Sequence, residues 1–132
     1  MPDSFLVIDD SKLVHQMYRL IFSRGSLAGS TVHYAGNGRE GLTLLAAHPD
    51  LTLVLLDLNM PEMNGLELLA RRRAEAIHPH VPIALVTTED SEGDEARGRD
   101  AGAWDYLRKP FQPADVERLV TRALAQSQVR SA

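Results

Sequence analysis

Apolar residues fall along this chain in two patterns. Three short runs, Phe5–Ile8, Leu53–Leu56 and Ile83–Thr87, are almost continuously apolar, the signature of strands covered on both faces. Thr31–Ala35 and Tyr106–Arg108 read as weaker strands. Between the runs, apolar positions recur at helical spacing: Val14, Met17, Tyr18 and Ile21 form one stripe, and Leu42, Leu45 and Ala46 a second. Leu66, Leu69 and Ala70 form a third behind Asn64, a candidate N-cap, and Val116, Leu119, Val120, Ala123 and Leu124 form the strongest. The segment Ser91–Ala101 is the poorest helix, with few apolar positions and Gly98, which costs about 1 kcal/mol relative to Ala inside a helix. It is expected to be mobile. Strand-then-helix alternation needs crossovers between parallel strands, so the pattern predicts a doubly wound α/β domain, a parallel sheet with helices on both faces.

Length and composition narrow the function classes. At 132 residues the chain has room for one domain. No apolar run is long enough to cross a bilayer, and the short stretch after Met1 runs straight into Asp9-Asp10, unlike a signal peptide. These features predict a cytoplasmic protein that meets no membrane. The absence of cysteine excludes disulfides, thiolate metal sites and thiol nucleophiles. A net charge of −4 argues against nucleic-acid binding and favours a protein partner.

Open parallel sheets bind ligands at the carboxyl ends of their strands. Those ends carry Asp9-Asp10, Asp57, Thr87-Thr88 and Lys109-Pro110, which should converge on one pocket. Two unit charges ~4 Å apart repel by about 4 kcal/mol at an effective dielectric near 20, so three clustered carboxylates call for a proton or a hard cation. An all-oxygen set suits Mg²⁺. Lys109, one of only two lysines, adds a compact charge suited to an incoming phosphoryl group. A carboxylate, a cation, an ammonium and a hydroxyl together are equipped for in-line phosphoryl transfer to Asp57.

Asp9-Asp10, the string Leu56-Asp57-Leu58-Asn59-Met60-Pro61-Glu62-Met63-Asn64-Gly65, Thr87, and Ala101-Gly102-Ala103 leading to Lys109-Pro110-Phe111 resemble a response-regulator receiver domain, particularly the single-domain chemotaxis regulators. The resemblance covers nearly the whole chain. It implies a flavodoxin-like, five-stranded sheet in the order 2-1-3-4-5, a receiver over 1–126, a short polar, frayed tail over 127–132, and no output domain. Asp57 would be the phosphoacceptor. Asp10, Asp57 and the Asn59 backbone carbonyl would bind Mg²⁺ directly, with Asp9 acting through water. Lys109 and Thr87 would contact phosphoryl oxygens, with Thr87 and Tyr106 as the switch pair and Lys109-Pro110 as a cis peptide. Asn59, Glu89 and Thr88 would tune phosphorylation lifetime, Asn59 and Glu89 matching a subgroup with brief phosphorylation. The implied protein is a stand-alone two-component regulator, a phosphoacceptor that promotes its own Mg²⁺-dependent phosphorylation and dephosphorylation rather than an enzyme. A histidine kinase or phosphotransfer protein would supply the phosphoryl group. A downstream protein would meet the face of the fourth helix, fifth strand and fifth helix, which is also the surface for a phosphorylation-dependent homodimer.

Other residues have plainer readings. Arg71-Arg72-Arg73 points to different sides of a helix and is expected to be a solvated face. His78-Pro79-His80 lacks further ligands and reads as a loop. Trp104 is either packing or an exposed anchor for a partner. A haloacid-dehalogenase-type phosphatase needs a second Asp two residues after the nucleophile, where this chain has Asn59; a flavin module needs a phosphate loop where Asp9-Asp10 stands. A degenerate receiver acting only as a scaffold fits poorly with the intact acidic cluster, Thr87 and Lys109.

Overall fold

A computed structural model describes residues 3–88 and 92–131. The chain runs β1 (Ser4–Ile8), α1 (Lys12–Phe22), a 3₁₀ turn (Gly25–Leu27), β2 (Thr31–Ala35), α2 (Gly38–Ala47) and β3 (Leu53–Asp57). It continues through α3 (Gly65–Ala74), β4 (Ile83–Thr87), α4 (Glu92–Ala101), β5 (Asp105–Arg108) and α5 (Pro113–Ser131). The strands form one parallel sheet in the order β2-β1-β3-β4-β5, as the sequence resemblance implied.

Strand alternation divides the core between the two faces of this sheet. Phe5, Val7, Leu53, Leu55, Ala84 and Val86 pack with Tyr18, Ile21 and Phe22 of α1 and with Val116, Leu119, Val120 and Ala123 of α5. Their neighbours Leu6, Ile8, Val54, Leu56, Ile83 and Leu85 pack on the opposite face with Leu45 of α2 and Leu68 and Leu69 of α3. Every residue of β3 and β4 is buried, because helices cover both sides. That is why their sequences lack polar alternation.

Helix termini carry their own signals. Asn64 caps α3 through a capping box with Glu67, and Ser11 and Asn37 cap α1 and α2. The buried face of α3 differs from the predicted stripe: Leu68, Leu69 and Arg72 are buried, Leu66 is half-buried and Ala70 is exposed. α1 keeps Val14, Tyr18 and Ile21 of the expected stripe on the core, and only Met17 departs from it. It buries His15, Tyr18, Ile21 and Phe22 and leaves Leu13, Met17 and Leu20 exposed. In α2 Leu45 is buried, Leu42 half-buried and Ala46 exposed.

α4 forms despite its weak sequence. Gly98 lets it approach the sheet: a Cβ there would come within 2.7 Å of Leu85. The feature that weakens the helix intrinsically thus permits its packing. The Arg73 guanidinium also donates to the Asp100 carbonyl at 2.6 Å, tying α3 to the end of α4. The polar tail over 127–132 does not begin where expected, since α5 stays helical through Ser131, with neither Gly nor Pro to stop it. Among the described residues, no helix is long and apolar enough to cross a membrane.

Candidate functional site

The parallel strands deliver Asp9, Asp57, Thr87 and Lys109 to the same end of the sheet. Asp9 follows β1, Asp57 closes β3 opposite Val86, and Thr87 closes β4 opposite Arg108, which precedes Lys109. Asp9, Asp57 and Thr87 are only 2%, 4% and 1% exposed, whereas Asp10 stands at the surface. Carboxylate oxygens of Asp9, Asp10 and Asp57 all lie within 4.8 Å of one another. The predicted cluster is therefore assembled by the fold.

Lys109 bridges the two buried acids. Its Nζ donates to Asp9 Oδ2 at 3.1 Å and to Asp57 Oδ1 at 3.2 Å. One ammonium faces three carboxylates, so negative charge remains in excess. Burial, and then the Asp9 carboxylate, push the Asp57 carboxyl up to about 6, although Lys109 and a backbone hydrogen bond from Asn59 oppose the rise. Burial would lower the Lys109 ammonium, but Asp57 and Asp9 outweigh it and raise its pKa. Nearby, burial and then the same two acids raise the Tyr18 phenol above its ordinary value.

Thr87 Oγ1 supplies a second sign of incompleteness. It is buried and has no hydrogen-bond partner among the described residues. Buried hydroxyls are usually paired, and leaving one unpaired costs about 1–3 kcal/mol. At the opening of α3, Gly65 lets the helix start lie close to Asp57: an added Cβ would come within 2.9 Å of the Asp57 carbonyl oxygen.

The donor set fits a hard divalent cation. Three carboxylates offer oxygen only, and their charge exceeds what Lys109 offsets, which suits an oxygen-seeking ion that keeps several waters. Among the described residues, no other group of three or more acidic, histidine or cysteine ligands comes together.

The remaining expected residues are distributed as follows. Tyr106 is half-buried, and its hydroxyl donates to the Glu95 carbonyl of α4; Arg108 reaches the Glu95 carboxylate at 2.9 Å. Thr88 and Asn59 are exposed beside the pocket. Glu89 lies outside the described residues. Lys109-Pro110 is cis. Trp104 is half-buried and packs against the core beneath Arg122, with the guanidinium 5.1 Å from the ring centre.

Arg72 corrects the solvated-face expectation, because it is 7% exposed and donates to the carbonyls of Ile77, His78 and Val81. His78 and His80 are in the predicted loop, bonded to Ala46 and Pro49 carbonyls. Two residues lie near the site that the sequence does not assign to it, Tyr18 counting there only as part of a helix stripe. His15 Nε2 lies 2.7 Å from the Asp9 carbonyl oxygen, and Tyr18 lies in the field of Asp9 and Asp57. Their only sequence signal is polarity on the inner face of α1.

Comparison with known proteins agrees with this geometry. The sequence model for the response regulator receiver domain matches residues 5–121. A chemotaxis protein CheY homolog of Campylobacter jejuni is 38% identical over 108 residues, covering 82% of each chain. The transcriptional regulatory protein SrrA of Staphylococcus aureus is 31% identical over 128 residues, or 97% of this chain and 50% of SrrA. Among solved structures, chemotaxis protein CheY4 of Vibrio cholerae superposes with a TM-score of 0.81 at 31% identity, covering 93% of this chain and 99% of that one. A CheY-like receiver domain protein from Methanospirillum hungatei gives 0.83 at 26% identity, covering 97% and 98%.

Proposed function

The chain belongs to the response regulator receiver domain family of two-component signalling, and on that premise we propose that Asp57 is its phosphoacceptor. The carrying observation is the shared Lys109: one ammonium between Asp9 and Asp57, beside the unpaired Thr87 hydroxyl. This arrangement offers charge and hydrogen bonds to oxygens not yet there.

In the forward step an Asp57 carboxylate oxygen attacks the phosphorus of a phosphohistidine on a histidine kinase or phosphotransfer protein. The new P–O bond forms as the P–N bond breaks, and its electron pair returns to the imidazole. Lys109 offsets charge on the phosphoryl oxygens, and Thr87 Oγ1 donates to one of them. Asp10, Asp57 and the Asn59 carbonyl would hold Mg²⁺, with Asp9 through water, and the chemistry it would supply there is neutralisation of charge on the transferred group. The phosphoryl group is lost by a separate step, attack of water on phosphorus, in which a new P–O bond forms as the P–O bond to Asp57 breaks, its electron pair returning to the Asp57 carboxylate and the water's protons leaving with phosphate and solvent. Asn59 and Thr88, exposed beside the pocket, are placed to set its rate, a role the family resemblance also gives to Glu89. The protein is thus a phosphoacceptor that promotes its own turnover, not a conventional enzyme.

Two surfaces support the partner assignments. Leu13, Met17 and Leu20 are 69%, 40% and 58% exposed on α1, the helix that follows the acidic loop, and suit the docking of a phosphodonor. A cleft of about 310 Å³ beside β5 and α5, lined in part by Tyr106, Arg108, Arg118 and Arg122, suits a downstream protein or a second copy. Drawing the Thr87 hydroxyl toward the phosphoryl group frees space for Tyr106, releasing its bond to Glu95 and altering this face.

Intact mass after incubation with Mg²⁺ and acetyl phosphate tests the chemistry. One added phosphoryl group is expected, absent without Mg²⁺ and absent in Asp57→Asn. A folded, Mg²⁺-loaded protein that gains none overturns it.

A further inference from the structure

The Asp9–Asp10 turn is held by more than its carboxylates. The Asp9 N–H donates to the Ala35 carbonyl at 3.1 Å, and Asp9 Oδ1 accepts from the Ser11 N–H at 2.8 Å. Oδ2 accepts from Lys109. The remaining polar group of Asp9 is its backbone carbonyl, and His15 Nε2 lies 2.7 Å from it in a buried setting. A carbonyl oxygen only accepts, so this contact requires a proton on Nε2.

That carbonyl belongs to the planar peptide unit that also contains the Asp10 nitrogen. Fixing its direction fixes the plane from which the Asp10 chain departs. The ring is itself held: it belongs to the buried face of α1 and packs on Tyr34, with centroids 5.2 Å apart, while Arg19 stacks over the other end of that contact, 4.6 Å from the Tyr34 centre. Asp10, in contrast, is exposed, and residue 10 lies in a bend outside both helix and strand. Its placement therefore depends on the turn.

We infer that His15 is a positioning residue for the metal site: it locks the peptide plane between Asp9 and Asp10, and so holds the Asp10 carboxylate in register with Asp57 for a divalent cation. The inference rests on the metal reading above. Hydrogen-bond partners behind metal ligands commonly change affinity by about 10–100-fold when removed.

Titration calorimetry with Mg²⁺ on the full chain, beside thermal melts, tests it. His15→Met fills similar space without a donor and is expected to weaken Mg²⁺ binding about 10-fold. His15→Gln restores an N–H at comparable reach and is expected to recover most of that loss, even if both variants melt at the same temperature. A folded His15→Met that binds as tightly as wild type overturns the inference alone. A wild-type protein that binds no Mg²⁺ at millimolar concentration overturns the metal reading, and this inference with it. If the variants fold poorly, ¹⁵N spectra of the wild-type ring decide: a proton on Nε2 at neutral pH is expected, and a bare Nε2 overturns the proposal.

Discussion

The two ends of the sheet treat charge in opposite ways. Where β3 and β4 begin, the buried Arg72 guanidinium donates to three carbonyls, and His78 and His80 reach the Ala46 and Pro49 carbonyls at 3.0 and 2.7 Å. Where those strands finish, three carboxylates cluster, one lysine bonds two of them, and the Thr87 hydroxyl has no partner among the described residues. The first end is complete in itself. On the proposed reading, the second would be completed from outside, by a cation and the oxygens of a phosphoryl group. Buried polar groups thus mark stability where they are saturated and function where they are left short.

Substitutions should separate these ends. Arg72→Met strands three backbone acceptors and is expected to lower stability by about 3 kcal/mol in urea unfolding, yet leave acetyl phosphate labelling of the folded protein intact. A variant as stable as wild type would break the contrast.

A smaller effect follows from Asp57, whose carboxyl is raised from 3.8 to about 6 in the folded protein. Between about pH 4 and 6 the folded state holds a proton that the unfolded state releases, so its contribution makes stability fall as pH rises through that window. Without Mg²⁺, Asp57→Asn should lack this decline and gain on the order of 1–2 kcal/mol over wild type at pH 7, with little difference below pH 4. Urea midpoints at the two pH values check the sign.

Smallest is Thr87→Val, which replaces an unpaired hydroxyl by a methyl. It is expected to stabilise the unphosphorylated protein by about 1 kcal/mol while blunting any phosphorylation-induced change at Tyr106. Calorimetric melting and the Tyr106 NMR resonance read the two effects.

Sequence pattern made the functional end more legible than the closed one. Asp9, Asp57, Thr87 and Lys109 were found because each terminates an apolar strand or follows one, and parallel topology brings such ends together. Asn64 was legible as a cap for an equally local reason. Arg72 was not, because a run of three arginines looks solvated until the phase of α3 is known, and its partners are backbone carbonyls of the following loop. The same holds for His15, bonded to a backbone oxygen that no side-chain pattern reports. The extent of α5 was missed because polar residues with adequate helix propensity resemble a frayed tail when nothing marks the stop.

The central claim is that Asp57 alone among the clustered acids carries the phosphoryl group. The most direct measurement is borohydride reduction of the protein phosphorylated with acetyl phosphate and Mg²⁺, followed by tandem mass spectrometry of its peptides. Reduction of an aspartyl phosphate leaves homoserine, and the account predicts homoserine at position 57 only. Homoserine at position 9 or 10, or none in a protein shown to be folded and Mg²⁺-loaded, would contradict it.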